Sequence, residues 1–353
     1  MMKKILLFSL SLFFLPVYGE HSTVVPEKGQ AYLPDINKVQ ASLVYDHILP
    51  NIRSFLIAAK DLKATANEFC HTKTEKKLAE LQEKFKTLSV RWHRIEMLNF
   101  GPMNDDIFSP KRDSINYPIN NTSISYPRRF VAKHLNATSG IDFSSLSPRE
   151  KGLLMLEVLL FETAVSNDKQ LEKIVEDYKK NLGKCYLLKG FSELIESDAQ
   201  YIDDGWNIKY RQSAKPFKDI FLSGTLPDGS DSLVTLISEI QKYLEYIKKR
   251  NVISMTAPLS GISYDNAFSV INSIESLLEG VPGKASFFSI IESAGKKSVV
   301  DLVRENISDA KQALSVKDNS AYNAAVGRLA ANFKRDLAES LGINLGLNFA
   351  DGD

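Results

Sequence analysis

The nine residues Leu153 to Phe161, LLMLEVLLF, constrain the fold more than any other stretch of the chain. They carry no turn residue and are apolar except for Glu157, so a helix here has no polar face to offer to water. A helix apolar all round has to be enclosed by other elements. The chain must therefore supply several further helices around it, and one carboxylate must enter the resulting core. A buried carboxylate is costly unless donors, a cation or a metal meet it, and otherwise its pKa rises. Two readings of Glu157 stay open: a hydrogen-bonded cap between helices, or a contact to a ligand or metal.

The enclosing helices are visible as periodicity. From Thr74 to Leu98 the apolar residues Leu78, Leu81, Phe85, Leu88, Trp92 and Ile95 alternate in steps of three and four, with Lys and Glu between them. That is one buried stripe on an amphipathic helix. Ile36 to Phe69 predicts an earlier long helix, bent near Pro50. Leu171 to Tyr186 and Phe191 to Tyr210 predict two more. Strand signals are few, and only Ser123 to Tyr126 suggests a local pairing. Between residues 100 and 147 four prolines and clusters of Asn, Ser and Asp mark a long irregular excursion, of the kind that tends to be functional.

A second turn-rich segment, 214–230, reads as a linker. Beyond it Asp231 or Ser232 can cap a helix to about Arg250, and further helices are expected from Ser260, from Ala285 to Leu314 and from Asn319 to Leu341. The expected class is all-α: two tandem helical bundles resembling four-helix bundles, residues 30–213 with the excursion at 100–147, and residues 231–353.

The first residues set the expected compartment. Lys3 and Lys4 precede an apolar run from Ile5 to Leu15, followed by Pro16 and the small-residue site Val17-Tyr18-Gly19. This predicts a secretory signal peptide over residues 1–19. No Cys stands at the cleavage site, so no lipid anchor is expected, and no later stretch is apolar enough to span a membrane. A soluble periplasmic or otherwise exported protein follows. In an oxidising compartment the two cysteines, Cys70 and Cys185, are expected to form a disulfide. Lys and Arg total 44 against 43 Asp and Glu, and that balance gives no reason to expect nucleic acid as a partner.

The other candidate chemistry lies in RWHRIEMLNFGP, Arg91 to Pro102. His93 and Glu96 share one strip of the helix beside the buried Trp92 and Ile95. They read either as the solvated edge of a bundle or as part of a site. Three ligands for a catalytic zinc would need Glu157 brought to His93 and Glu96. A ferritin-like di-metal bundle needs Glu-x-x-His on two helices, and Glu68 to His71 supplies it once. No nucleophile elbow, phosphate-binding glycine loop or CxxC pair occurs. At the far end Asp351 and Asp353 flank Gly352, a polar terminus whose carboxylates could line a pocket.

Four separated pieces, in order, carry a resemblance: RWHRIEMLNFGP, INYPIN from Ile115, KGLLMLEVLLFE from Lys151, and the terminal LGINLGLNFADGD. Together they resemble the imelysin-like family of exported bacterial proteins. The resemblance implies an all-helical protein with a site between two bundle-like domains, an association with iron acquisition, and iron or another divalent metal as the possible cofactor. Some members are classed as metallopeptidases through a Gly-x-His-x-x-Glu motif. Here that motif falls on Gly152, Leu154 and Glu157, and leucine cannot bind zinc. The expectation is a non-catalytic binding or accessory protein of iron uptake, partnered by an uptake component or a small ligand. Its ligand- or metal-binding candidates are Glu157, His93, Glu96, Trp92, Gly152, Asp351 and Asp353. The alternative is a metallopeptidase with a degraded motif.

Overall fold

The computed structural model describes residues 33–342 except 107–109, 118–123 and 251–256. The signal-peptide segment and the terminal Asp351 and Asp353 lie outside the described residues.

Helix α1 (Leu33–Ser42) passes through a π-helical turn (Leu43–Ile48) into α2 (Leu49–Thr72). Pro50 comes just after the π-helical turn, and because it has no N–H to give to a preceding carbonyl, the hydrogen-bond ladder is interrupted there. The bend expected near Pro50 is therefore a change of helical winding within a continuous rod. After a left-handed Lys73, Thr74 accepts from the Lys77 amide and opens α3 (Glu75–His93). The whole stripe from Leu78 to Trp92 is buried, and so is Ile95 just beyond the helix.

Residues 100–147 are not irregular throughout. They hold a 3-10 turn (Gly101–Met103), α4 (Lys111–Ile115) and α5 (Ser125–Lys133). Of the local pairing suggested at Ser123 to Tyr126, Ser123 lies outside the described residues, and Ser125 and Tyr126 open α5. Pro127 sits in its first turn, where a helix tolerates proline. Next comes α6 (Leu153–Phe161), which touches α3, α5, α7 (Leu171–Lys180) and α8 (Leu182–Asn207). The apolar helix is thus enclosed, and of its residues only Leu154 is half-buried.

The break between α7 and α8 lies at Asn181, in extended backbone, rather than near Gly190. Gly190 serves packing instead: a Cβ there would come within 2.1 Å of the Phe143 ring. A disulfide joins Cys70 of α2 to Cys185 of α8 across a Cα–Cα distance of 5.7 Å, as the cysteine pair implied.

The second half runs through α9 (Phe217–Leu222), α10 (Ser232–Arg250), α11 (Ser263–Glu279), α12 (Phe287–Ser293), α13 (Lys297–Ser315), α14 (Asn319–Ala331), a π-helical turn (Asn332–Leu337) and α15 (Ala338–Ser340). Asp231 Oδ1 accepts from the amides of Leu233 and Val234, the expected cap. The helix predicted over Ala285 to Leu314 is two, divided at Gly295, whose φ is +77°. A left-handed glycine stops a helix because its next residues cannot continue the hydrogen-bond ladder.

Hydroxyls fasten α11 of this half onto α3. Ser269 donates to Val90 O at 2.9 Å and Ser273 to Arg94 O at 2.7 Å. These carbonyls belong to the end of α3, where helical acceptors run out of partners. Buried apolar side chains from Val39 to Leu337 form one continuous cluster through both halves. Among the described residues there is no strand, and no helix is long and apolar enough to cross a membrane.

Candidate functional site

Glu157 is 1% exposed and its surroundings are complete on one side. Its Oε1 accepts from Leu259 N at 3.1 Å, Ser260 N at 2.7 Å and Ser260 Oγ at 2.6 Å. Burial pushes its carboxyl pKa up, while these three donors pull it back. The carboxylate therefore closes the turn that leads into α11, which is the first of the two readings open in the sequence. Gly152, before α6, has φ +81°, and a Cβ there would meet Ile115 O at 2.4 Å. Its role is close backbone approach.

His93 and Glu96 sit at the end of α3 and in the turn after it, each 3% exposed. The strip beside the buried stripe is thus internal rather than a solvated edge. His93 Nδ1 lies 2.7 Å from Ser89 O. A carbonyl only accepts, so Nδ1 carries a proton, and in the neutral imidazole Nε2 is then the acceptor. That Nε2 is buried and has no hydrogen-bond partner among the described residues. It stands 3.7 Å from Glu96 Oε2.

Glu96 in turn is held from two directions. Asn116 Nδ2 donates to Oε1 at 2.8 Å, and the Tyr243 hydroxyl donates to Oε2 at 2.6 Å. Burial, with Glu96 alongside, raises the Tyr243 hydroxyl pKa well above its ordinary value, so it stays a donor. On the same excursion as Asn116, burial raises the Asp113 carboxyl pKa against the pull of Arg112. Arg112 reaches Asp113 only at 3.7 Å, and its buried Nε is unpartnered. Trp92 Nε1 and Asn266 Nδ2 are likewise buried and unpartnered among the described residues, and Asn266 Oδ1 accepts from Ser89 Oγ at 3.2 Å. Buried polar atoms in folded proteins nearly always find partners, and exceptions ask for an explanation.

Helix α3, the excursion, α10 and α11 thus bring His93, Glu96, Asn116, Tyr243 and Asn266 into one buried polar cluster. Glu157 bonds elsewhere, to Leu259 and Ser260. Sequence reasoning missed Asn116, Tyr243 and Asn266. Asn116 did carry a signal, since it lies in the INYPIN piece. Tyr243 and Asn266 carried none, being ordinary residues of amphipathic helices.

The motif residues Gly152, Leu154 and Glu157 do not fit a zinc centre. Leu154 has no lone pair to offer, and Glu157 is already engaged by three donors. Among the described residues no three His, Cys, Asp or Glu side chains gather closely enough to hold a metal ion. What His93 and Glu96 do offer is one free imidazole lone pair beside a carboxylate. That suits a hydrogen-bond donor or a cation that brings its remaining ligands with it.

The model of the imelysin family matches residues 48–342. Among solved structures, an imelysin-like protein from Psychrobacter arcticum 273-4 superimposes with a TM-score of 0.68 at 17% identity, covering 89% of this chain and 98% of its own. A protein provisionally named iron-regulated protein A precursor, from Parabacteroides distasonis ATCC 8503, gives 0.65 at 16% identity, with 91% and 97% covered. At these identities the likeness is one of fold. No curated protein matches the chain.

Proposed function

The chain belongs to the imelysin family, and we propose that it is an exported, non-catalytic binding or accessory protein of iron uptake. Its ligand enters where the two helical halves meet and engages His93 Nε2 and Glu96. The observation that carries this reading is the buried, unpartnered Nε2 beside a carboxylate that Asn116 and Tyr243 hold in place. A buried ring nitrogen left without a partner is what a binding site can use and what a finished core avoids.

Iron enters through the family resemblance and through the name given to the Parabacteroides protein. The basic-then-apolar start of the chain supports export. Iron or another divalent cation, delivered with ligands of its own, is the cargo this pair can meet. The peptidase alternative draws no support from Leu154, which stands where the motif needs a histidine.

Metal analysis of the exported protein, with iron and zinc titrations of wild type, His93→Ala, Glu96→Gln and Glu157→Ala, tests the reading. Binding should fall in the first two variants and persist in the third. Stoichiometric zinc together with chelator-sensitive peptide cleavage would overturn it in favour of a metallopeptidase.

A further inference from the structure

Helices α3 and α11 border an open groove of about 460 Å³ on the surface. Lys86, Arg91 and Arg94 bring three cations to it, against a single acid, Asp265. Val90, Ile262 and the exposed ring of Phe268 supply apolar wall.

The two arginines, one helical turn apart, differ from the protein's other cations in facing one groove together without an acidic partner. Lys86 is paired with Glu83 at 2.7 Å. Arg128 is forked onto Glu162, and Arg304 is held between Glu279 and Glu292. Arg91 and Arg94 have no ion pair and no side-chain hydrogen bond among the described residues. Arg94 is half-buried, and its guanidinium pKa is lowered first by burial and then by the like charge of Arg91.

Cations at a helix C-terminus often serve the last carbonyls and the helix dipole. At this helix end the hydroxyls of Ser269 and Ser273 already serve the carbonyls of Val90 and Arg94. The second arginine is therefore not needed to cap these carbonyls, and a charge withdrawn from water without a partner is costly.

We propose that this groove binds a small organic anion. Its carboxylate or phosphate is taken by the guanidinium forks of Arg91 and Arg94, and its flat apolar body lies against Phe268, Val90 and Ile262. Planar guanidinium groups match both oxyanions through paired N–H donors. Asp265 on the same wall accepts from a hydroxyl or ammonium of the ligand and repels a second anionic group. None of these residues belongs to the His93–Glu96 cluster, so the groove stands independently of the function proposed above.

Calorimetric titration of the whole protein with benzoate, phenyl phosphate, inorganic phosphate and benzyl alcohol tests it. Benzoate and phenyl phosphate should bind saturably, and their order identifies the preferred oxyanion. Inorganic phosphate should bind more weakly for want of the apolar contact, and benzyl alcohol not at all. Arg91→Gln and Arg94→Gln should each weaken binding by roughly tenfold or more, while Lys133→Gln, outside the groove, should leave it unchanged. Arg94→Gln should also leave Tm unchanged or raise it, because it removes a like-charge contact. No saturable binding, binding indifferent to Arg94→Gln, or a clear fall in Tm in that variant would each overturn the proposal.

Discussion

Two buried polar clusters invite comparison, one around Lys184 and one around His93. Lys184 is wholly buried, yet its ammonium meets Asp177 Oδ2 at 2.8 Å, Glu162 O at 3.2 Å and the face of Tyr178 at 4.4 Å. Glu162, also wholly buried, receives the Arg128 fork at 2.7 and 2.6 Å. Asp177 takes further donors from Ala164 N and Asn181 Nδ2. Around His93 the imidazole Nε2, the Arg112 Nε and the Asn266 amide nitrogen lack partners among the described residues. A closed network of this kind rigidifies a core, whereas an open one leaves polar atoms that a water or a ligand can still complete. Burial alone therefore separates neither structure from function; completeness of the hydrogen bonding does.

The comparison can be broken from its closed side first. Replacing Cys70 and Cys185 by Ala should lower the unfolding free energy by about 4–5 kcal/mol, the chain-entropy figure for so long a loop. Urea unfolding of oxidised wild type against the variant measures it, and a loss under about 1 kcal/mol would show that the linked helices hold without the bond. Lys184→Ala should cost about 3–5 kcal/mol, because it breaks a pair whose cation is wholly buried and takes the cation from half-buried Asp177, and should not change ligand binding.

On the open side the signs reverse. His93→Phe should shift stability by no more than about 1 kcal/mol, since it trades an unsatisfied polar edge for an apolar one, while abolishing binding at the cluster. A large stability loss there would make the two clusters alike and remove the basis of the functional proposal. The smallest effect concerns Glu157, whose folded pKa is raised by burial. Between its ordinary value and that raised value the folded state holds a proton the unfolded chain has lost. Stability should therefore fall as pH rises through this window and level off above it. Glu157→Gln should flatten that segment of the stability–pH curve, and an unchanged slope would mean that the three donors outweigh the burial.

Much of the architecture was legible because helix faces are written locally. The stripe from Leu78 to Ile95 and the all-round apolarity of Leu153 to Phe161, Glu157 apart, state which surfaces must be covered, and they are. Local pattern failed where a glycine had a tertiary reason to be present, as at Gly190, which is shaved to admit Phe143. The site was half legible. His93 and Glu96 were visible as a pair, but Tyr243 lies 147 positions from Glu96. Periodicity says that a face is buried, and nothing in it says which face meets which. The partners of Glu157, in a turn 102 and 103 positions away, were hidden for the same reason.

The enclosure of α6 has a consequence for assembly. A nine-residue helix is too short to persist alone in water, and this one has no polar side on which to wait. It can take its place only as α3, α5, α7 and α8 close round it, so it is a late and cooperative arrival. Until then the most apolar stretch of the described chain is open to any hydrophobic surface, and the interval before closure is when this protein is most exposed to aggregation.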